Sequence, residues 1–317
     1  MALKRKVYWA AAVVCVAAAI VVLVGGWIGC ERGVHPDQVA DKYTLSQFDL
    51  PPPEAVSFQT HDGLRLAGWF LPGSNGRTVV LVHGRGGSRT RVLPHADYLH
   101  RGGFSVLLFD LRYRGESEGE EATLGAKEVW DVEAAVRYIA TRPDVDPERI
   151  GVQGGSLGAV SAILAAAETP EIKGVVAEIP FKDLPSAISH SFKHHVGLPR
   201  FPFAPVSKFI CELRLWVDLD AVAPSKAIGK ISPRPVFLID DLEDDLFPSD
   251  SVEVLYKAAR EPKVLWQIAA AHGKGWETAP EEYERRVLAF WRQTFRLPQA
   301  QPSNISANEP VQTQKRP

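Results

Sequence analysis

The sequence predicts an α/β domain in which helices cover both faces of a mostly parallel, eight-stranded sheet. Three features support this fold class: a hairpin pattern at the start of the domain, six short runs of continuously apolar residues after it, and helical periodicity between those runs. The chain has 317 residues, and the pattern places all eight strands in residues 54–296. One domain is predicted, because single α/β domains often reach about 250 residues.

The hairpin is predicted at the amino-terminal end of the domain. Val56–Thr60 and Leu64–Leu71 are strand-like runs, and His61-Asp62-Gly63 lies between them. An Asp-Gly step between two such runs is a strong signal for a tight turn. The first two strands are therefore expected to be antiparallel.

The other six strands are short and apolar throughout, which is typical of strands buried on both faces of a sheet. They are Thr78–Val82, Ser105–Phe109, Ile150–Val152, Val175–Ala177, Val236–Ile239 and Val264–Ile268. Within residues 125–141, Val129, Val132 and Val136 recur at spacings of three and four residues, which indicates an amphipathic helix. Helices between strands imply a parallel sheet, whose reactive loops follow the carboxyl ends of its strands.

The composition excludes several classes of protein. Hydrophobic residues make up 45% of the chain and charged residues 23%, which rules out general disorder. The formal net charge of −2 gives no basic surface for nucleic acid. Cys15, Cys30 and Cys211 show neither metal-ligand spacing nor the density of a disulfide framework, so structural zinc is not expected.

The amino terminus predicts a membrane anchor. Three basic residues within residues 1–6 precede an uncharged apolar run over residues 7–28. At about 1.5 Å per residue, this run reaches the roughly 30 Å needed to cross a bilayer. It is longer than the apolar part of a typical signal peptide, so we expect an uncleaved single-pass anchor with the domain on the extracytoplasmic side.

Two alternatives for this segment remain open. The run could be a signal peptide that is cleaved to release a secreted protein. Alternatively, Gly29-Cys30 directly after an apolar run resembles a bacterial lipoprotein processing site, which would place a lipid on Cys30.

Two further segments are predicted to lie outside the domain. Residues 29–53 are polar and end in three prolines, which favours an extended stalk. Residues 297–317 are rich in Gln, Pro, Asn and Ser, and a segment with so few apolar residues is expected to be disordered.

A candidate catalytic nucleophile follows the fifth predicted strand. Gly154-Gly155-Ser156-Leu157-Gly158 lies between that strand and a run of small residues that predicts a helix. A serine displayed at a sharp strand-to-helix turn needs glycine two positions before and after it, because backbone and helix approach too closely for side chains. Ser156 is therefore predicted to be the nucleophile; the alternative is a glycine-rich turn without a catalytic role.

These motifs resemble the α/β-hydrolase superfamily, in particular its serine-esterase-like members of the serine aminopeptidase S33 and dienelactone hydrolase type. The hairpin, the Ser156 turn and His83-Gly84-Arg85-Gly86-Gly87 after the third strand carry the resemblance. It implies an oxyanion hole formed by the backbone N–H groups of Arg85 and Leu157. It also implies that His83 positions this loop, and that no cofactor is needed.

A fourth stretch of the sequence is similar to the same family. Phe109–Ser117 resembles a D-x-R-x-x-G-x-S segment, in which Asp110 and Arg112 are expected to brace loops rather than to catalyse.

The base and the acid of a catalytic triad are sought downstream of Ser156, because a serine hydroxyl needs an imidazole to accept its proton and a carboxylate to orient that imidazole. His272 follows the last predicted strand, where the family keeps its base. The family pattern places the acid four residues before Pro248, which selects Asp244, and Asp245 is the alternative. Five acids within residues 240–245 leave the exact assignment open, and a calcium site at this cluster is a further alternative.

Residues 180–230 interrupt the alternation of strands and helices and predict a small cap over Ser156. Its aromatic residues are Phe181, Phe192, Phe201, Phe203, Phe209 and Trp216. Two interpretations remain open: the aromatic side chains form an apolar wall for an acyl group, or they bury a small core of the insertion itself. His190, His194 and His195 lack a carboxylate or cysteine to complete a metal site and are expected on the surface.

Taken together, the sequence predicts a serine hydrolase that cleaves a small-molecule ester of apolar or small acyl groups through an acyl-enzyme intermediate. A thioesterase or a peptidase would use the same three side chains, so both remain alternatives. A hydrolase fold that only binds ligands is the alternative from a different class. The sequence indicates no oligomeric state.

Overall fold

The computed structural model describes residues 2–37, 42–192 and 197–296. Its centre is one eight-stranded sheet with the strand order β1-β2-β4-β3-β5-β6-β7-β8. The strands are β1 (Glu54–Gln59), β2 (Arg65–Leu71), β3 (Thr78–Val82), β4 (Ser105–Phe109), β5 (Ile150–Gly155), β6 (Ile172–Glu178), β7 (Val236–Asp241) and β8 (Lys263–Ile268). The eight predicted strands are confirmed.

The strand directions also follow the prediction. β1 and β2 form an antiparallel hairpin, and Gly63 in its turn has a φ of +88°, a conformation that glycine adopts without strain. β2 is antiparallel to β4 as well, whereas the remaining neighbours in the sheet pair in parallel. The carboxyl ends of β3, β5, β6, β7 and β8 therefore meet at one edge of the sheet.

The described residues contain ten helices. They are α1 (Ala2–Val34), α2 (Leu93–Arg101), α3 (Glu128–Ala140), α4 (Leu157–Glu168), α5 (Leu184–Ser191), α6 (Arg200–Leu215), α7 (Pro224–Ala227), α8 (Ser251–Ala258), α9 (Gly275–Thr278) and α10 (Pro280–Thr294). Short 3₁₀ helices lie at Leu45–Gln47, Arg89–Val92, Leu219–Ala221 and Ile228–Lys230.

The core has two layers, one on each face of the sheet. Along β3, Val80 and Val82 pack with α3, α4 and α8, whereas Val79 and Leu81 pack with α2 and α10. This alternation arises because successive side chains of a strand point to opposite faces. With helices on both faces, the predicted architecture is confirmed.

The insertion between β6 and β7 contains α5, α6 and α7 and lies where the sequence predicts the cap. Phe181 and Phe192 are buried, and Phe181 packs in a third apolar cluster with Leu157 of α4. By contrast, Phe201 and Trp216 are 80% and 89% exposed. Only some of the six aromatic residues can therefore form an acyl-binding wall or a small core of the cap, because several of the rings face outward.

Helix α1 is longer than the predicted anchor. It is long and apolar enough to cross a membrane by length and composition, and its apolar side chains from Val7 to Val24 are largely exposed. The helix continues to Val34, and a disulfide joins Cys30 at its carboxyl-terminal end to Cys211 of α6. The sequence shows no disulfide framework, yet these two cysteines, 181 positions apart, meet because α1 lies against the cap.

Residues 29–53 were expected to form an extended stalk, but the described residues of this segment are helical in part and pack against the domain. Residues 29–34 belong to α1, and Tyr43, Leu45, Phe48 and Leu50 pack against the core layer that contains α2 and α10. Apolar side chains spaced along a mostly polar segment are enough to hold it against the domain. The tail predicted to be disordered, residues 297–317, lies outside the described residues.

Candidate active site

Ser156 stands at the turn between β5 and α4, as the glycine pattern predicts. Its backbone has φ 54° and ψ −121°, a strained conformation for a residue with a side chain. A Cβ atom on Gly154 would lie 2.5 Å from the carbonyl group of Gly158, and one on Gly158 would lie 2.3 Å from the carbonyl oxygen of Val82. Close approach of the backbone therefore requires both glycines and displays the Ser156 hydroxyl at the edge of the sheet.

His272 and Asp244 meet Ser156 at this edge. The Nε2 atom of His272 lies 3.1 Å from the Oγ atom of Ser156, and its Nδ1 atom lies 3.0 Å from the Oδ1 atom of Asp244. The backbone N–H of Leu246 donates a hydrogen bond of 2.7 Å to the same carboxylate oxygen, and Phe247 contacts the imidazole edge to face. The structure thus brings together the three side chains that the sequence selects for a triad.

The cluster of acids after β7 separates into different environments. Asp244 is directed at His272, whereas Asp245 is exposed and its backbone carbonyl lies 3.1 Å from the Nε2 atom of His190. Asp240 and Asp241 are buried, and Asp240 accepts a hydrogen bond from Gln267. Of the two candidates for the acid, only Asp244 contacts the imidazole.

Asp241 is a residue of the site that sequence reasoning missed. Its Oδ2 atom accepts hydrogen bonds from the backbone N–H groups of Gly273 and Lys274, at 2.8 and 3.3 Å, and so holds the loop that carries His272. The signal in the sequence is a pair of consecutive acids, Asp240 and Asp241, at the end of a buried strand.

A second buried carboxyl group, Glu178 at the end of β6, lies beside Asp241. Glu178 accepts a hydrogen bond from the Tyr283 hydroxyl, but its Oε1 atom and the Oδ1 atom of Asp241 have no partner among the described residues. A side chain on Gly275 would contact both oxygens, so the two carboxyl groups face the same small space. Burial and the neighbouring Glu178 raise the pKa of Asp241 to about 8, and burial also raises the pKa of Glu178.

Replacing Asp241 with Asn is expected to change how stability depends on pH. Between pH 4 and about 8 the folded protein keeps a proton on Asp241 that the unfolded chain has lost. The free energy of unfolding should therefore fall with rising pH over this range, by up to about 1.4 kcal/mol per pH unit. Asn does not titrate and still offers an oxygen to the N–H groups of Gly273 and Lys274, so Asp241→Asn should flatten the slope.

This expectation is checked by chemical denaturation of the detergent-solubilised protein at several pH values between 4 and 9. Asp245→Asn, which removes an exposed carboxylate of the same loop, serves as the control and should keep the slope of the native protein. Equal slopes for Asp241→Asn and the native protein would show that Asp241 is ionised in the folded state.

The loop after β3 contacts the Ser156 turn directly. A Cβ atom on Gly84 would lie 3.4 Å from the Cβ atom of Ser156. His83 is buried and fixes this loop: its Nδ1 atom lies 2.8 Å from the carbonyl oxygen of Gly84, and its Nε2 atom accepts a hydrogen bond from the backbone of Leu111. Burial lowers the pKa of His83, which keeps this imidazole neutral.

The segment after β4 is held by buried ion pairs. Arg112 pairs with Asp131 and Asp62, and Asp110 accepts hydrogen bonds from the backbone N–H groups of Arg89 and Glu116. These contacts tie the hairpin, α3 and the loop after β4 together, and they place neither Asp110 nor Arg112 in contact with Ser156.

Two cavities meet at Ser156. One, of about 300 Å³, has a lining of mixed polar and apolar character that includes Lys42, Lys274 and Glu277. The other, of about 270 Å³, has an apolar lining formed largely by the cap. Ser156, His272 and Arg85 border both cavities. Arg85 has no ion-pair or hydrogen-bond partner in the part of the chain that the structure describes.

The sequence contains two groups of possible metal ligands: the acidic cluster at residues 240–245 and the histidines of the cap. Among the described residues, one acidic group could hold a cation, and it consists of Glu212, Asp218 and Asp220 beside Lys208 in the cap. This group is not the acidic cluster at residues 240–245 that the sequence suggested for calcium. His190 lies in α5, whereas His194 and His195 lie outside the described residues.

Comparisons with known proteins are consistent with this geometry. The family model for serine aminopeptidase, S33, matches residues 73–209. An uncharacterized protein of Mycobacterium tuberculosis is 32% identical over 242 residues, which cover 75% of this chain and 77% of that protein. The solved esterase Pf2001 of Pyrococcus furiosus is 28% identical and superposes with a TM-score of 0.67, covering 82% of this chain and 99% of the esterase.

A polyketide transferase of Stachybotrys chlorohalonatus is also similar, with 29% identity over 268 residues that cover 70% of this chain and 89% of the transferase. The chain belongs to the α/β-hydrolase superfamily, among the serine aminopeptidase S33-like hydrolases.

Proposed function

We propose that this protein is a serine hydrolase that cleaves a carboxylic ester through an acyl-enzyme intermediate. The observation that carries the proposal is the continuous contact from Ser156 through His272 to Asp244, with both distances at or near 3 Å. A serine, a histidine and a carboxylate in this order are the minimum set for nucleophilic acyl transfer.

In the first half of the reaction, the Oγ atom of Ser156 attacks the carbonyl carbon of the ester while the Nε2 atom of His272 accepts the hydroxyl proton. Asp244 stabilises the imidazolium that forms and fixes the orientation of the ring. The backbone N–H groups of Arg85 and Leu157 are the proposed donors to the oxyanion. Neither N–H donates a hydrogen bond to another group within the described residues, and Leu157 is the first residue of α4, where the helix dipole adds positive potential.

In the second half, the tetrahedral intermediate collapses and the leaving alcohol takes the proton from His272. A water molecule then gives a proton to the same Nε2 atom and attacks the acyl carbon. The second tetrahedral intermediate releases the carboxylic acid, and the proton returns to the Oγ atom of Ser156. The residues named are sufficient for each proton transfer in this scheme.

Esters are the substrates that the surroundings of Ser156 favour. The cavity of about 270 Å³ is walled by Phe181, Leu184 and Phe247, which suits an apolar acyl group better than a peptide backbone with its unpaired polar groups. A thioesterase or a peptidase remains an alternative with the same chemistry. A protein that only binds ligands is disfavoured by the intact contact between Ser156 and His272.

We further propose that α1 anchors the enzyme in a membrane, with residues 1–6 in the cytoplasm, residues 7–28 in the bilayer and the domain of residues 54–296 on the far side. The disulfide between Cys30 and Cys211 supports an oxidising, extracytoplasmic compartment. It also engages the sulfur atom that lipidation of Cys30 would need. Secretion after cleavage is the other alternative.

The experiment that tests the enzymatic proposal is labelling of the full-length protein with a fluorophosphonate, followed by identification of the modified peptide by mass spectrometry. The expected adduct is on Ser156 and forms in parallel with loss of p-nitrophenyl butyrate hydrolysis. A p-nitroanilide with the same acyl group separates esterase from peptidase activity, since we expect turnover of the ester only. Absence of labelling on Ser156 in folded protein would contradict the proposal.

A further inference from the structure

The apolar cavity beside Ser156 is built in part by the anchor helix. The residues that line the cavity include Ser156 and His272 and also Gly29, Arg32 and Gly33 of α1. The cap supplies much of the remaining wall, including Phe181 and Phe192. A helix whose role was only to tether the domain would have no reason to line the site at which the ester is cleaved.

Helix α1 is packed tightly against α6 through glycines within its last apolar turns. A Cβ atom on Gly25 would lie 2.5 Å from the ring of Phe203, and one on Gly26 would lie 2.6 Å from Val206. Small residues at such spacings let two helices approach closely, and the disulfide of Cys30 with Cys211 fixes the pair.

This packing sets the depth of the cap relative to the bilayer. The apolar run ends at Ile28, so the contact of Gly25 with Phe203 places the start of α6 level with the last membrane-spanning turn. Gly29 and Gly33 lie about 6 and 12 Å further along the helix axis, at 1.5 Å per residue. The part of the cavity wall that α1 forms is therefore adjacent to the membrane surface.

The exposed side chains at this level fit contact with lipid. Phe201 at the start of α6 is 80% exposed, and Trp27 of α1 is 53% exposed. Phe201 has extended backbone angles, so it projects before the regular part of the helix begins. Aromatic side chains are favoured at the boundary between the hydrocarbon core and the head groups.

We propose, on the basis of the esterase function and the anchor proposed above, that the substrate is an acyl ester lipid taken directly from the membrane. Its acyl chain passes the exposed Phe201 and enters the cavity between α1 and the cap, with the ester carbonyl at Ser156. The polar part of the lipid occupies the cavity lined by Lys42, Lys274 and Glu277, on the other side of Ser156. The alcohol part of the lipid leaves when the acyl-enzyme forms, and water then cleaves the acyl-enzyme to give the fatty acid and the free Ser156 hydroxyl.

The proposal is tested with the full chain reconstituted in phosphatidylcholine vesicles. Two substrates are compared: p-nitrophenyl laurate dissolved in the bilayer and p-nitrophenyl acetate in water. Phe201→Glu places a carboxylate at the level of the membrane, and we expect it to lower the ratio of laurate to acetate hydrolysis at least tenfold. The matched control is Trp216→Glu, an equally exposed ring at the other end of α6, roughly 20 Å away, which should leave this ratio within twofold.

A second variant probes the cavity itself. A Cβ atom on Gly33 would meet only Leu124, at the ordinary contact distance of 3.6 Å, so Gly33→Leu adds a side chain without a clash at Cβ from a position that lines the cavity. The ratio of kcat/KM for laurate to kcat/KM for acetate, both in detergent, should fall at least tenfold in this variant.

The outcomes distinguish a failure of the esterase function from a failure of substrate access from the membrane. If neither ester is hydrolysed by the native protein, the esterase function itself fails. If acetate is hydrolysed but Phe201→Glu leaves the vesicle ratio unchanged, or lowers it no more than Trp216→Glu does, access from the membrane is refuted. If Gly33→Leu leaves the ratio of kcat/KM for laurate to kcat/KM for acetate unchanged, α1 does not contribute to binding of the acyl chain.

Discussion

Ser156→Ala is expected to lower kcat for ester hydrolysis by a factor on the order of 10⁴ to 10⁶. The hydroxyl that the substitution removes lies 3.1 Å from the Nε2 atom of His272, and no other hydroxyl among the described residues contacts this imidazole. Without it, only a direct attack of water remains, helped by the oxyanion donors and by substrate positioning. Binding of the ester should change little, since one oxygen atom is lost.

The measurement is the steady-state rate with p-nitrophenyl butyrate in detergent, together with fluorophosphonate labelling. Ser161→Ala is the matched control. Ser161 lies in α4, the helix that begins directly after Ser156, and its hydroxyl donates only to the carbonyl oxygen of Leu157. This variant should keep the native rate within about threefold. A Ser156→Ala protein that is folded and retains more than a few per cent of the native rate would show that another nucleophile operates.

The sheet and the meeting of Ser156, His272 and Asp244 could be predicted because both depend on local features of the sequence. Short apolar runs identify buried strands, and the Asp62-Gly63 turn fixes the direction of the first two. Gly154 and Gly158 reveal the Ser156 turn, because close contact of backbone atoms tolerates no side chain there. His272 and the acid follow from the family order of loops at one edge of the sheet.

The choice between Asp244 and Asp245 could not be made from the residues alone. Neighbouring positions of a loop point in different directions, and the direction depends on how the loop closes over the strand end. Here the backbone N–H of Asp244 donates a hydrogen bond to the carbonyl oxygen of Asp241, which makes a tight turn and directs the Asp244 side chain at His272.

The position of α1 also depends on tertiary contacts with the cap, which could not be predicted from the sequence. An apolar run of this length predicts an anchor, and the polar residues after it favour a spacer. The structure differs because Gly25, Gly26 and Gly29 form one face that fits the rings and methyl groups of the cap. Glycines in an apolar helix are visible in the sequence, but their partner in α6 lies some 180 residues away.

The proximity of the carboxyl groups of Asp241 and Glu178 could not be predicted from the sequence either. Each residue ends a strand, and β6 and β7 are neighbours, so the two side chains meet beneath the His272 loop. The sequence shows consecutive acids but not which face of the strand each one occupies. Only the register of the sheet places one of them against the backbone of the loop that carries His272.

Asp244→Asn is expected to lower kcat for ester hydrolysis by a factor on the order of 10³ to 10⁴. The Asp244 carboxylate accepts from the Nδ1 atom of His272 and leaves the Nε2 atom free to take the Ser156 proton. An Asn side chain in the same place can donate its amide N–H to Nδ1, which stabilises the tautomer with a proton on Nε2. That tautomer cannot act as a base toward Ser156, and the imidazolium loses its counter-charge.

Asp245→Asn is the matched control for this prediction, since it removes the same charge from the next residue of the loop while its side chain is exposed and does not contact His272. Its rate with p-nitrophenyl butyrate should stay within twofold of the native rate, and circular dichroism should show both variants to be folded. The reverse pattern would assign the acid to Asp245 and would require the loop to rearrange in the working enzyme. Equal and small losses in both variants would mean that His272 works without a carboxylate partner, because charge removal alone would then account for each effect.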